Sequence, residues 1–97
     1  MGYYVLVDIV DLSSVKKQLR KVPRDIIRRL QRWVLYVEMI GLIESRKIPG
    51  LHDEPLKGKW KRYRSIRLGK TWRAIYIKKK DGSINIAEVK EVTPHEY

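Results

Sequence analysis

The chain predicts an α+β domain with the element order β-α-α-β-β-β, two helices lying on one face of a mainly antiparallel four-stranded sheet. Three observations predict it. Tyr3 to Val10 is an apolar run rich in β-branched and aromatic residues, as in a strand. From about Pro23 to Ile40 the apolar residues recur at helical spacing. After Lys61, three strand-like runs are punctuated by Gly69-Lys70 and Asp81-Gly82. The 97 residues make a single domain, 1–97, and with 43% of them hydrophobic they suffice for one core, which argues against a disordered basic tail.

The elements follow in order. The first run, Tyr3 to Val10, is nearly apolar on both faces, as a central or well-covered strand would be. Ser13 or Ser14 then caps a short helix that carries Val15, Leu19 and Val22. Pro23 ends that helix and opens the next, since proline suits a first helical turn. In the second helix Ile26, Ile27, Leu30, Trp33, Val34 and Val37 share one face. Arg24, Arg28 and Arg32 form a stripe on another side, and Gly41 is placed to end it. The stretch from Ile43 to Lys59 holds Pro49-Gly50, Asp53, Pro55 and Gly58 and reads as a long loop, a kind of segment that often carries function. Strands follow at about Lys61 to Leu68, Trp72 to Lys78 and Ile84 to Val92. On the first of these, Arg62, Arg64 and Ile66 alternate with Tyr63, Ser65 and Arg67, a pattern too polar for burial on both faces.

Two helices in succession must cover one side of the sheet, which leaves the other side to present strand-borne cations. Those cations are concentrated. Between Ser45 and Lys80 stand 13 Lys/Arg and 2 Asp/Glu, so this stretch carries as much net charge as the whole chain, +11. A charge so placed, interleaved with Trp60, Tyr63 and Trp72, points to a polyanionic partner and favours nucleic acid. A membrane surface fits less well, because the apolar side of the second helix is needed to cover the sheet. No signal peptide or spanning segment is legible, and a soluble cytoplasmic protein is the expectation.

Cysteine is absent, which excludes disulfides and a thiol nucleophile, and His52 and His95 are the only histidines. No metal site and no cofactor is expected. RNA brings its own nucleophile, the 2′-hydroxyl, so its cleavage by transesterification needs from the protein a base, a cation for the phosphoryl oxygens and an acid for the leaving 5′-oxygen. The chain offers a candidate for each. Glu54, in the loop among cations, is a base, or else pairs with a nearby cation and pins the loop. Arg73 enters an otherwise apolar strand and its guanidinium matches two phosphoryl oxygens, or else it is a surface arginine. His95 has Glu91 and Glu96 nearby to favour its imidazolium, or else is a solvated tail residue. Lys57, Lys59, Lys61, Arg62, Arg64 and Arg67 suit phosphates. His52 suits a phosphate or a base, and Trp60, Tyr63 and Tyr97 suit stacking on unpaired bases or ordinary packing.

Taken together, Glu54-Pro-Leu-Lys57-Gly, Arg64-Ser-Ile-Arg67-Leu, Trp72-Arg73-Ala-Ile-Tyr76 and Val92-Thr-Pro-His95-Glu-Tyr97 resemble the RelE/HigB/YoeB superfamily of bacterial and archaeal toxins, in order and over essentially the whole chain. The resemblance implies a microbial-RNase-like fold and a ribosome-dependent, metal-independent endoribonuclease, an mRNA interferase acting in the ribosomal A site on mRNA held beside ribosomal RNA. It also implies a cognate antitoxin, expected to be a small helix-turn-helix protein. By the same resemblance Glu54 and His95 are the acid–base pair and Arg73 stabilises the transition state. The chain departs from the YoeB-like ending in placing Glu96 between His95 and Tyr97. The competing readings are a non-catalytic RNA- or DNA-binding module and a degenerate toxin that only binds its antitoxin, both on the same fold.

Overall fold

The structure, a computed structural model, describes residues 7–94 of the chain. The start of the first expected strand, and the expected site residues His95 and Tyr97, lie outside the described residues. The elements are β1 (Ile9–Asp11), α1 (Lys16–Leu19), α2 (Arg24–Ile40), α3 (Leu42–Ser45), β2 (Glu54–Pro55), β3 (Tyr63–Arg67), β4 (Arg73–Asp81) and β5 (Ile84–Thr93), with short 3-10 turns at Ser13–Val15, Pro49–Leu51 and Gly58–Trp60. The five strands form one sheet in the order β1-β5-β4-β3-β2, antiparallel except where β1 runs parallel to β5. The α+β class holds. The strand count rises from four to five because the expected loop contains β2, which pairs Glu54 with Ser65 and Pro55 with Arg64.

Helix α2 forms as its sequence dictates. Pro23 precedes it in an extended conformation, and Gly41 ends it at φ +89°, a left-handed value that a side chain would strain. A Cβ at Gly41 would also stand 3.0 Å from Val7 Cγ1. Ile26, Leu30, Trp33 and Val37 bury its apolar face against Ile66, Tyr76 and Val89 of the sheet. The Trp33 and Tyr76 rings meet at 5.2 Å between centroids. Each such fully buried side chain contributes about 1.5–3 kcal/mol.

Two local expectations are corrected. Neither Ser13 nor Ser14 caps the helical segment after β1. The Asp11 carboxylate accepts the Ser13 N–H instead, at 2.9 Å, and the Ser14 hydroxyl turns away to donate to Glu88. The Ser13 hydrogen bonds hold the Asp11 carboxyl below its usual pKa. Described strand β1 is not central but lies at the sheet edge, half-buried. It is tied in by the buried Asp8 carboxylate, which accepts the Leu42 N–H at the start of α3 (2.7 Å) and the Asn85 N–H in β5 (2.8 Å). Among the described residues no helix is long and apolar enough to cross a membrane.

Candidate functional site

The acidic pair Asp53-Glu54 straddles the sheet. His52, just before it, has φ +44°, a left-handed conformation in which it ends the Pro49–Leu51 turn and sends the chain into β2. Asp53 then points to the side covered by α2. Its side chain is fully buried and accepts the Arg64 Nε–H at 2.6 Å and the Tyr76 hydroxyl at 2.6 Å. Burial and the adjacent Asp53 charge push the Tyr76 phenol well above its ordinary pKa. Burial also works against the Arg64 charge, but the Asp53 hydrogen bond and charge outweigh it and raise that pKa. Asp53 is thus the acid that pins the loop.

Glu54 turns the other way. It is registered opposite Ser65, on the face away from α2, and is exposed. Ser65 is registered in turn opposite Ile75, and Arg73, two residues before Ile75 on β4, rises on the same face. These residues surround an open recess of about 410 Å³ walled by Glu54, Leu56, Lys57, Trp60, Ser65 and Arg73. Arg73 Nη1 reaches the Ser65 hydroxyl at 3.4 Å, a long and weak hydrogen bond. Among the described residues neither Glu54 nor Arg73 has an ion-pair partner. A carboxylate free to take a proton and a guanidinium free to hold an anion therefore share one recess.

The aromatic wall is Trp60, 46% exposed, set edge-on against Tyr63 at 5.5 Å, with Lys59 Nζ 5.8 Å from its ring centre. Exposed aromatic rings of this kind can stack on bases. The expected site residues therefore divide. Glu54, Arg73 and Lys57 come together in the recess, and Lys59 stands beside its Trp60 wall. Arg62 is exposed just before β3, and His52 is exposed at the turn. Arg64 is not among the solvent-facing cations: it lies on the helix side, its charge committed to Asp53. The cause is the alternation itself, since Ile66, two residues on, is fully buried in the core and Arg64 must share its face. Arg67 is exposed at the end of β3 and lines a different recess, with α2. Ser65 was not expected in the site. Its only sequence signal is its place between Arg64 and Ile66, which puts it on the open face.

The last residue of β5, Thr93, is registered opposite Arg73.

This fold is found in solved toxin structures. The YoeB/ParE toxin from Agrobacterium tumefaciens matches with a TM-score of 0.61 and 20% identity, over 92% of this chain and 97% of that one. The toxin–antitoxin complex RelBE2 from Mycobacterium tuberculosis matches with a TM-score of 0.54 and 18% identity, over 99% and 98%. No family model matches the sequence, and no curated protein does. The chain has the RelE/YoeB-like toxin fold.

Proposed function

We propose that this chain is the toxin of a type II toxin–antitoxin pair, an endoribonuclease that cuts mRNA on the ribosome by attack of the RNA 2′-hydroxyl on the adjacent phosphate. One observation carries the reading: Glu54 and Arg73, neither with an ion-pair partner among the described residues, face one recess in a fold shared with solved toxin structures. Glu54 takes the proton from the 2′-oxygen as that oxygen bonds to phosphorus. Arg73, with Lys57 beside it, holds the non-bridging oxygens as negative charge grows on them. The 5′-oxygen leaves as its bond to phosphorus breaks, and takes a proton from His95, which the sequence places within two residues of the strand position facing Arg73. The products are a 2′,3′-cyclic phosphate and a 5′-hydroxyl. Trp60 offers a surface for a neighbouring base.

The recess is open and shallow, so it does little by itself to bend RNA into the in-line geometry that 2′-attack requires. The ribosome, holding a codon in a fixed shape, supplies that constraint. The wide distribution of cations suits contact with mRNA and ribosomal RNA together. The antitoxin partner rests on the RelBE2 likeness and on the chain's net charge of +11, which an acidic, extended segment would neutralise.

The test is cleavage of an mRNA under translation, with the new ends mapped and their chemistry determined. Wild type should leave 5′-hydroxyl ends, and Glu54→Gln, Arg73→Ala and His95→Gln should each cut far more slowly. Three variants that all cut at the wild-type rate would remove this site assignment. A wild type that binds RNA yet never cuts on ribosomes would make the recess a binding module.

A further inference from the structure

A second recess, of about 160 Å³, lies where α2 meets the end of β3 and shares no residue with the first. Arg29, Arg32 and Tyr36 of α2 form one wall, Arg67 another, and Ile48 and Leu51 the apolar part of its lining. The convergence has a simple origin. Arg29 and Arg32 are three apart on the helix and so lie on one flank. Arg67 is the last residue of β3, beyond the two residues that pair with β2, and it lines the recess together with the helix arginines. Among the described residues none of these three guanidiniums has an ion-pair partner. Three like charges around one recess repel one another unless an anion joins them.

We propose that this recess is a second RNA site, binding a phosphodiester group of a strand that also engages the Glu54–Arg73 recess; the inference rests on the nuclease reading above. Continuity favours it, because Arg67 of this recess is registered directly opposite Arg73 of the other. The chemistry favours it as well. Guanidinium forks match phosphate oxygens in pairs, and a tyrosine beside isoleucine and leucine accepts a base or ribose next to that phosphate. A carboxylate-bearing peptide would satisfy the charge but would leave the aromatic wall unused.

The experiment reads binding alone, so it remains interpretable whether or not wild type cuts. In the full-length Glu54→Gln background, fluorescence anisotropy follows a labelled single-stranded RNA of ten nucleotides, and separately a labelled dinucleotide, over a salt series. The pair R29Q/R32Q is compared with R24Q/R28Q, which removes the same charge from exposed positions of the same helix. R29Q/R32Q should weaken the ten-nucleotide RNA about tenfold and flatten the log–log salt slope by about 0.7, the value for one phosphate on a single strand. R24Q/R28Q should shift it far less, and dinucleotide binding should be unchanged in both. Equal losses from the two pairs would reduce the effect to net charge and overturn the site. Unchanged RNA binding with lost binding of a glutamate-rich peptide would assign the recess to a protein partner instead. Far-ultraviolet circular dichroism and a thermal melt confirm that both pairs are folded.

Discussion

Asp53 and Glu54 are adjacent carboxylates on opposite sides of the sheet, and their surroundings differ in kind. On the α2 side, Asp53 is fully buried and shared between a guanidinium and a phenol at 2.6 Å each. On the other side, Glu54 is exposed and has no ion-pair partner among the described residues. The arginines divide the same way: Arg64 is paired with Asp53, whereas Arg73 has no ion-pair partner among the described residues and reaches the Ser65 hydroxyl at 3.4 Å. A carboxylate whose lone pairs are occupied by buried donors holds structure together, whereas one left unpaired beside an unpaired cation can exchange a proton. One backbone step separates the two roles because successive residues of a strand point to opposite faces.

The sharpest way to break the comparison is to neutralise Glu54. Glu54→Gln should lower cleavage by about 10²–10⁴-fold, the range of a general base, and Arg73→Ala by about 10²–10³-fold. Because Glu54 is exposed and has no ion-pair partner among the described residues, its variant should keep its unfolding free energy within about 0.5 kcal/mol of wild type. A rate loss accompanied by a comparable stability loss would show that Glu54 is structural after all and erase the distinction.

The next effect belongs to the other side. Asp53→Ala leaves the Arg64 guanidinium, its side chain 21% exposed, without its counter-charge and the buried Tyr76 hydroxyl without its acceptor. Removing one member of a buried ion pair costs about 3–5 kcal/mol, and partial exposure of Arg64 places this case near the lower end. Urea denaturation measures it. Asp53→Asn should recover part of the loss, since an amide oxygen still accepts from Tyr76 but cannot balance Arg64. An Asp53→Ala protein as stable as wild type, yet unable to cut, would invert the assignment of the two acids.

Much of this arrangement was legible in the sequence, and the reason for the remainder is physical. Helix α2 announced itself because all its signals are local: Pro23 before it, Gly41 after it, and apolar residues at helical spacing between. The hairpin between β4 and β5 was legible from Asp81-Gly82 for the same reason; Gly82 does adopt φ +61°. Strand β2 was not, since it is two residues long, contains Pro55 and sits among turn-forming residues; only its pairing with β3 makes it a strand. Arg64 read as a solvent-facing cation because its partner is 11 residues away in sequence, and the phenol that completes the group is 23 residues from Asp53. The resemblance to known toxins singled out Glu54 and Arg73 together, but nothing in composition or spacing said which of two adjacent acids would be left unpaired. The second recess was equally invisible, as it needs the end of β3 to pass beside one flank of α2.

A third carboxylate tests whether facing away from α2 is enough to make an acid available, and its effect should be the smallest. Glu88 lies on that open face of β5, since Ala87 and Val89 on either side of it are fully buried in the core. Yet it is fully engaged, bridged to Lys79 and, at 3.0 Å, to Lys90, and accepting from the Ser14 hydroxyl at 3.2 Å. The Lys79 hydrogen bond above all, then that of Lys90, pulls its pKa down to about 2 from 4.5. A carboxylate held so acidic is a poor base near neutral pH, so Glu88→Gln should leave cleavage unchanged. Its effect should appear in stability. The folded pKa lies below the unfolded one, so the pair's contribution is complete above about pH 4.5 and disappears as pH falls toward 2. Both lysines are substantially exposed, with side chains 56% and 40% accessible, so solvent screening limits that contribution to about 1 kcal/mol. Denaturation curves of wild type and Glu88→Gln should therefore differ modestly at pH 7 and converge only as pH falls to about 2 or below. A gap that persists at low pH would mean that Glu88 stabilises by packing rather than by charge. A loss of cleavage in Glu88→Gln would mean that ion pairing does not decide which acid on this face reacts.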